Sequence, residues 1–260
     1  MSFADLLQGA ERLPDGLRLT IPESWHQGRT AYGGFSSALA LNAAMRAGGE
    51  DLAPLRSAQL AMIAPVAGTA TARATVRRRG RNATWIDAQI SGEGGLGFTA
   101  SFVFMGPVAS VAHLNRCALP DGLVPVAEAP PLPENRGVSF LRNHFEIRFA
   151  LSPAGEEPSV KCWWVRLAAR DGLDPMTEAL LVADALPPGV MGLVPRATPI
   201  STMHWQVNLL TPAPATRDGW WLLRSRGDYA EMGCSSQRMD MWNADGEPVL
   251  AGLQSVALFG

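Results

Sequence analysis

The sequence contains few cysteines, and their wide spacing predicts no pair that would form a disulfide or bind a metal. Only three occur in 260 residues, Cys117, Cys162 and Cys234, and no CxxC pair is present. An odd number of widely spaced cysteines indicates neither a disulfide framework nor a zinc site. We therefore expect no bound metal and no structural disulfide, and we expect the protein in the cytoplasm, where thiols stay reduced.

Long apolar runs and an excess of positive charge are also missing. No stretch approaches the length of a transmembrane helix, and the first residues, MSFADLLQGAERLPDG, lack the basic start and apolar run of a signal peptide. The formal net charge is −2. A chain with this charge offers no general attraction to nucleic acid or to an anionic membrane, so we expect neither as a partner.

Two common hydrolase motifs are absent as well. The sequence contains no GxSxG element for a serine nucleophile and no HExxH pair for a catalytic zinc. We therefore expect any catalysis to proceed without a cofactor and without a serine nucleophile of this type.

A proline-rich segment divides the chain into two parts of similar size. It has no sustained helical or strand period, which is typical of a linker. We expect a first repeat over 1–106, a linker over 107–139 and a second repeat over 140–260. The prolines that mark the linker are Pro107, Pro120, Pro125, Pro130, Pro131 and Pro133.

The two parts share identities at one spacing, which suggests that they are copies. Each matching pair is 147 residues apart, as Gln59 is from Gln206. The remaining matches join Pro65, Arg77, Arg79, Gly80 and Ala83 to Pro212, Arg224, Arg226, Gly227 and Ala230.

Each part also predicts one helix followed by an antiparallel meander of strands. The first helix follows two adjacent glycines, Gly33 and Gly34, where a capping Ser, Thr, Asp or Asn would be more usual. The second has a standard start, with Asp174 as the N-cap and Pro175 at its first position. Glycines at a helix start indicate a close approach to backbone N–H groups there.

This duplicated helix-and-sheet pattern resembles the double hotdog fold, an α+β architecture, and more narrowly the acyl-CoA thioesterase II family. The similarity spans nearly the whole chain outside the linker. In the first part it rests on AYGGFSSALALNAA, RRGRNATWIDAQI and GFTASFVFM, and in the second on VADALPP, PISTMHW and LAGLQSVALF.

The resemblance implies a thioester hydrolase of lipid metabolism with acyl-CoA as its substrate, and it implies three catalytic residues in the second repeat. The matching positions are Asp184 in VADALPP, Thr202 in PISTMHW and Gln254 in AGLQSV. One departure follows the threonine, because His204 and Trp205 stand where the family usually has an acidic residue followed by histidine. Hotdog proteins commonly pair further, so we also expect a homo-oligomer.

These residue types are suited to hydrolysis by a positioned water molecule. Asp184, flanked by apolar residues in the last turn of its predicted helix, would accept the proton, while Thr202 and Gln254 would orient the water. Strand alternation predicts that Thr202 shares one face with His204, Gln206 and Asn208.

A substrate-binding group is predicted around the first helix start. Backbone N–H groups at Gly33 and Gly34 would receive the carbonyl oxygen, which makes the site composite between the two repeats. We add Tyr32 and His204 as further substrate-binding residues.

Other interpretations stay open on sequence alone. The polar residues of the site could simply be solvent-exposed, and Arg77, Arg78, Arg79 and Arg81 could bind CoA phosphates or form a solvated face. A non-catalytic acyl-CoA-binding protein would retain the same fold. A hotdog hydratase or dehydratase would require an Asp and His pair, for which His204 is the only plausible histidine.

Overall fold

The computed structural model describes residues 1–133, 137–152, 155, 157–195 and 198–259, so residues 134–136 of the expected linker lie outside the described residues. The helices are α1 (Phe3–Gln8), α2 (Gly33–Gly48), α3 (Ser139–His144) and α4 (Pro175–Ala183). The strands of the first repeat are β1 (Glu11–Leu13), β2 (Gly16–Ile21), β3 (His26–Gln27), β4 (Thr30–Ala31), β5 (Leu55–Met62), β6 (Gly68–Arg79), β7 (Ala83–Gly92) and β8 (Gly95–Met105). Those of the second are β9 (Phe145–Phe149), β10 (Val160–Leu167), β11 (Ile200–Leu209), β12 (Trp220–Glu231), β13 (Cys234–Asn243) and β14 (Pro248–Leu258).

One antiparallel sheet runs through both repeats. Its strand order is β1-β2-β6-β7-β8-β5-β11-β14-β13-β12-β10-β9, so the second half of the order mirrors the first. The two repeats join where β5 pairs with β11. This joining pairs an edge strand of each repeat and gives the duplicated α+β arrangement that the sequence predicts.

The junction has a local two-fold axis at the repeated glutamines. Gln206 lies directly opposite Gln59, and Trp205 lies opposite Leu60. An antiparallel pair centred on equivalent residues is the arrangement of a two-fold interface between copies. The spacing of 147 between these glutamines therefore describes a true equivalence at β5 and β11.

The same spacing does not hold further along the sheet. The β-bulge after Val76 in β6 has its counterpart after Gly227 in β12, 151 residues later. The connection between β11 and β12 runs over 210–219, whereas that between β5 and β6 runs over 63–67, and this longer connection shifts the register. The sequence identities at Arg77, Arg79, Gly80 and Ala83 therefore do not occupy equivalent positions, and that part of the repeat prediction is wrong.

The two long helices pack against each other on the inner face of the sheet. Helix α2 is rich in alanine and leucine, and the side chains of 38–41 are completely buried. Near the start of α4, Asn42 Nδ2 donates to Thr177 Oγ1 at 3.1 Å. The predicted cap of α4 is confirmed, because the Asp174 side chain accepts hydrogen bonds from the Met176 and Thr177 amides. Of the helices in the described residues, none is both long and apolar enough to cross a membrane.

Candidate functional site

Asp184 lies one residue beyond the end of α4, which stops at Ala183, so it is the C-cap of this helix and is not in the last turn as the sequence predicts. Its side chain is partly buried. Gln254 Nε2, on β14, donates to Asp184 Oδ1 at 2.8 Å, and Gln254 itself is 2% exposed. The structure thus brings together two of the three residues predicted to be catalytic, and one oxygen of the carboxylate is held by an amide.

The other carboxylate oxygen faces the start of α2. A Cβ atom placed on Gly33 would lie only 2.4 Å from Asp184 Oδ2, so the absence of a side chain at Gly33 is what allows this approach. The carboxylate is at the negative end of its own helix but at the positive N-terminal end of α2, whose first N–H groups have no partner within the helix. This arrangement supplies the favourable environment that Asp184 needs, and it comes from the other repeat.

Gly34 and Tyr32 hold the two helices in this position. A Cβ on Gly34 would lie 2.6 Å from both Leu181 O and the Tyr32 hydroxyl, so only glycine permits the helices to pack this closely. Tyr32, completely buried, donates from its hydroxyl to Leu181 O at 2.9 Å and stacks on Phe140. The acceptor is one of the last carbonyls of α4, which have no partner within their own helix. The Tyr32 hydroxyl is therefore engaged in joining the repeats.

We expect Tyr32→Phe to destabilise the protein by about 1–3 kcal/mol, because it leaves the buried Leu181 carbonyl without a hydrogen bond. Urea unfolding of both proteins measures this difference. An unchanged free energy of unfolding would mean that the hydroxyl does not stabilise the junction of the helices.

Burial controls the protonation of this site. Desolvation raises the pKa of Asp184 to about 7, although hydrogen bonds from Gln254 and from the Gly34 amide act in the opposite direction. The pKa of Tyr32 lies well above its usual value, mainly through burial and secondarily through the charge of Asp184. Tyr32 stays neutral, and a carboxyl group with a pKa near neutrality is suited to act as a general base.

Thr202 lies on the inner face of the sheet because of a β-bulge that the sequence does not reveal. The register of β11 against β14 shifts between Thr202 and His204, so that Thr202 pairs with Val256 and Trp205 pairs with Gln254. Directly opposite residues share a face. Thr202 is therefore on the face of Gln254 and Val256, and the prediction that it shares a face with His204 is wrong.

His204 lies on the opposite, outer face of the sheet. It pairs with Ser255 and with Ala61, and its side chain is exposed. The structure does not bring His204 to Asp184, and the Asp and His pair of a hydratase is not formed by these two residues.

The sequence reasoning missed a chain of buried polar groups behind Gln254. Gln237 Nε2 donates to Gln254 Oε1 at 2.5 Å, and Gln237 Oε1 accepts from the Gly189 amide at 3.0 Å. Ser225 Oγ accepts from the same amide at 2.9 Å. Both Gln237 and Ser225 are completely buried. The available signal was the inward alternation of β13, in which Gln237 precedes two buried methionines, Met239 and Met241.

The first repeat has apolar residues at the equivalent places. Phe102 pairs with Ile86, as Gln254 pairs with Gln237, and both are completely buried. Leu55 precedes the equivalent bulge of β5, at the position of Thr202. The first repeat thus forms the same sheet with apolar residues at these positions. The polar residues at the equivalent positions of the second repeat are therefore not required by the fold.

The arginine cluster is largely engaged in contacts within the protein. Arg77 Nε donates to Asp87 Oδ2 at 2.7 Å, and the Arg78 guanidinium lies 5.6 Å from the centroid of the Trp85 ring. Arg79 donates to Gly48 O. These contacts favour a structural interpretation of the cluster over CoA phosphate binding.

Comparison with known families gives two matches that together span most of the chain. Residues 21–105 match the acyl-CoA thioesterase N-terminal domain, and residues 120–258 match the acyl-CoA thioesterase C-terminal domain. Comparison with curated proteins found no significant match.

Solved structures confirm the double hotdog fold. A hot dog fold protein from Alicyclobacillus acidocaldarius has a TM-score of 0.85 at 20% identity, with 100% of this chain and 99% of that chain covered. The tesB protein of Mycobacterium avium subspecies paratuberculosis has a TM-score of 0.75 at 20% identity, with 100% of each chain covered. An acyl-CoA thioesterase II from Mycobacterium marinum has a TM-score of 0.75 at 15% identity, covering 99% and 97%. With both domain models matched in order, the chain belongs to the acyl-CoA thioesterase family and is a thioester hydrolase.

Proposed function

We propose that this hydrolase cleaves fatty or related acyl-CoA to the free acid and CoA, using a water molecule that Asp184 deprotonates. The observation that carries this proposal is that the two oxygens of the Asp184 carboxylate have different surroundings. Oδ1 accepts from Gln254, while Oδ2 faces Gly33, which has no side chain. Because Gln254 occupies Oδ1, we assign Oδ2 as the general base, with the Gly34 amide as a further donor to the carboxylate.

The proposed reaction begins with the attack of the water oxygen on the thioester carbon while Oδ2 takes the proton. The carbonyl oxygen becomes an oxyanion, the carbon–sulfur bond then breaks, and protonated Asp184 returns the proton to the departing CoA sulfur. Gln254 orients the carboxylate, and Thr202, on the same inner face, holds the water with its hydroxyl.

We assign stabilisation of the oxyanion to the N-terminus of α2. The Gly34 amide is directed at Asp184, so the amide of Gly33 is the better candidate for the substrate oxygen. Preorganised backbone N–H groups at a helix start are effective donors to developing negative charge. In this proposal the first repeat supplies backbone donors, and the second supplies the side chains.

A thiol-release assay over a panel of acyl-CoA esters tests the function. We expect the wild-type protein to release CoA from at least one chain length, with free acid as the second product. If no acyl-CoA is cleaved while calorimetry detects acyl-CoA binding, the protein is a binding protein and the proposed function is wrong.

A further inference from the structure

The series of buried hydrogen bonds behind Gln254 has only one possible order of donors and acceptors, because it begins at a backbone amide. The Gly189 N–H group can only donate, and Gln237 Oε1 accepts from it at 3.0 Å. If the Gln237 amide rotated by half a turn, its own NH₂ group would face that N–H group, with two donors opposed. The orientation of Gln237 is therefore determined by Gly189.

The order of donor and acceptor at Gly189 determines the order in each following hydrogen bond, up to Asp184. With its oxygen turned to Gly189, Gln237 presents its NH₂ group to Gln254 Oε1. Gln254 must then present its own NH₂ group to Asp184 Oδ1. The opposite orientation of Gln254 would oppose its NH₂ group to that of Gln237 and its oxygen to the carboxylate.

We propose that Gln237 is a positioning residue, which fixes the Gln254 amide so that it always donates to Asp184 and leaves Oδ2 as the basic oxygen. The inference rests on the proposed function for its catalytic consequence. It gains support from the first repeat, where the equivalent pair Ile86 and Phe102 is apolar and completely buried. Burying two glutamine amides is costly unless they are fully hydrogen-bonded, so a role beyond packing accounts for their presence.

The test is a double-mutant cycle of Gln237→Met and Gln254→Leu, each measured by kcat and by the pH dependence of kcat. Gln237→Met frees Gln254 to rotate, and we expect kcat to fall roughly tenfold, because a rotated amide no longer donates to Asp184; loss of a partner that orients a metal ligand has effects of this order. The acid limb of the profile should also move to higher pH, because the Gln254 hydrogen bond keeps the Asp184 pKa down. In the double variant, Gln237→Met should add nothing to the effect of Gln254→Leu.

Ile86→Met is the matched control, since it changes the equivalent buried position of the first repeat. We expect it to leave the pH profile unchanged, whatever its effect on stability. Two outcomes would overturn the proposal: a Gln237→Met protein with the wild-type profile, or multiplicative effects of the two substitutions, which would show that Gln237 acts independently of Gln254.

A second measurement keeps this inference separate from the proposed function. The carboxyl carbon of Asp184 can be titrated by NMR in selectively labelled protein without substrate, and the Asp184→Asn spectrum assigns its signal. The charge of Asp184 acts on the buried Tyr32 hydroxyl, which stays neutral in this range. We expect Gln237→Met to raise the measured pKa even if no acyl-CoA is hydrolysed; an unchanged pKa would refute the positioning role.

Discussion

Replacing Asp184 with asparagine is expected to lower kcat for acyl-CoA hydrolysis by roughly 10²- to 10⁴-fold, the usual contribution of a general base. Asparagine keeps an oxygen for the Gln254 amide to donate to but cannot accept the proton of the water. Thiol release under saturating substrate measures the effect, with acyl-CoA binding checked by calorimetry. A variant that hydrolyses acyl-CoA at the wild-type rate would exclude Asp184 as the base.

The same substitution should also change the stability of the protein by an amount that depends on pH, and measuring this change shows that the variant is folded. Folding raises the pKa of Asp184 from its ordinary value near 4 to about 7, so the folded protein binds this proton more tightly than the unfolded chain. The contribution of this group to stability is therefore present at low pH and is lost as the pH rises to about 7. Relative to wild type, Asp184→Asn should gain thermal stability between pH 5 and pH 8, as thermal unfolding at each pH would show.

The second large effect is expected from Gly33→Ala. The added methyl group would lie 2.4 Å from Asp184 Oδ2, so the carboxylate must move or lose access to water. A displacement of this size is expected to reduce kcat/KM by about 10²-fold. Stability should fall by less than in Gly34→Ala, because the new methyl group meets only side-chain atoms of Asp184 and Met62 and alanine favours the helix.

Two control variants separate this effect from the general consequences of losing a glycine. Gly34→Ala is expected to destabilise the protein by about 1–3 kcal/mol, since its methyl group meets the Leu181 carbonyl and the Tyr32 ring. Gly94→Ala should leave both properties unchanged, because no atom lies within 4 Å of the new methyl group. If Gly33→Ala loses stability and retains activity, the space beside Oδ2 is needed only for packing.

Several features of the fold and site were predictable because local chemistry determines them. The Asp174 cap and the proline after it specify the start of α4 regardless of context. The paired glycines before α2 indicated a close approach, and the structure places the Asp184 carboxylate there. The sequence also placed Gln254 with Asp184 in one site, and the structure joins the two by a hydrogen bond from the buried Gln254 amide.

Other features depend on details that periodicity does not carry. Met203 is an extra residue in β11 that interrupts the alternation of faces between Thr202 and His204. A bulge of this kind reverses the face of every residue beyond it. The shift in repeat spacing arises in a connection whose length has no pattern. Gln237 became recognisable only when the sheet register placed it beside Gln254, because a single polar residue in a strand normally faces solvent.

The most direct test of the central claim is the pH profile of kcat/KM for acyl-CoA hydrolysis by the wild-type protein and by His204→Gln. The claim is that the partly buried carboxyl group of Asp184, between the two repeats, is the base, and this predicts that activity rises with pH through a midpoint near 7. Because His204 lies on the outer face, the profile should be the same in the variant. A midpoint near 4, or one that disappears in His204→Gln, would contradict the account.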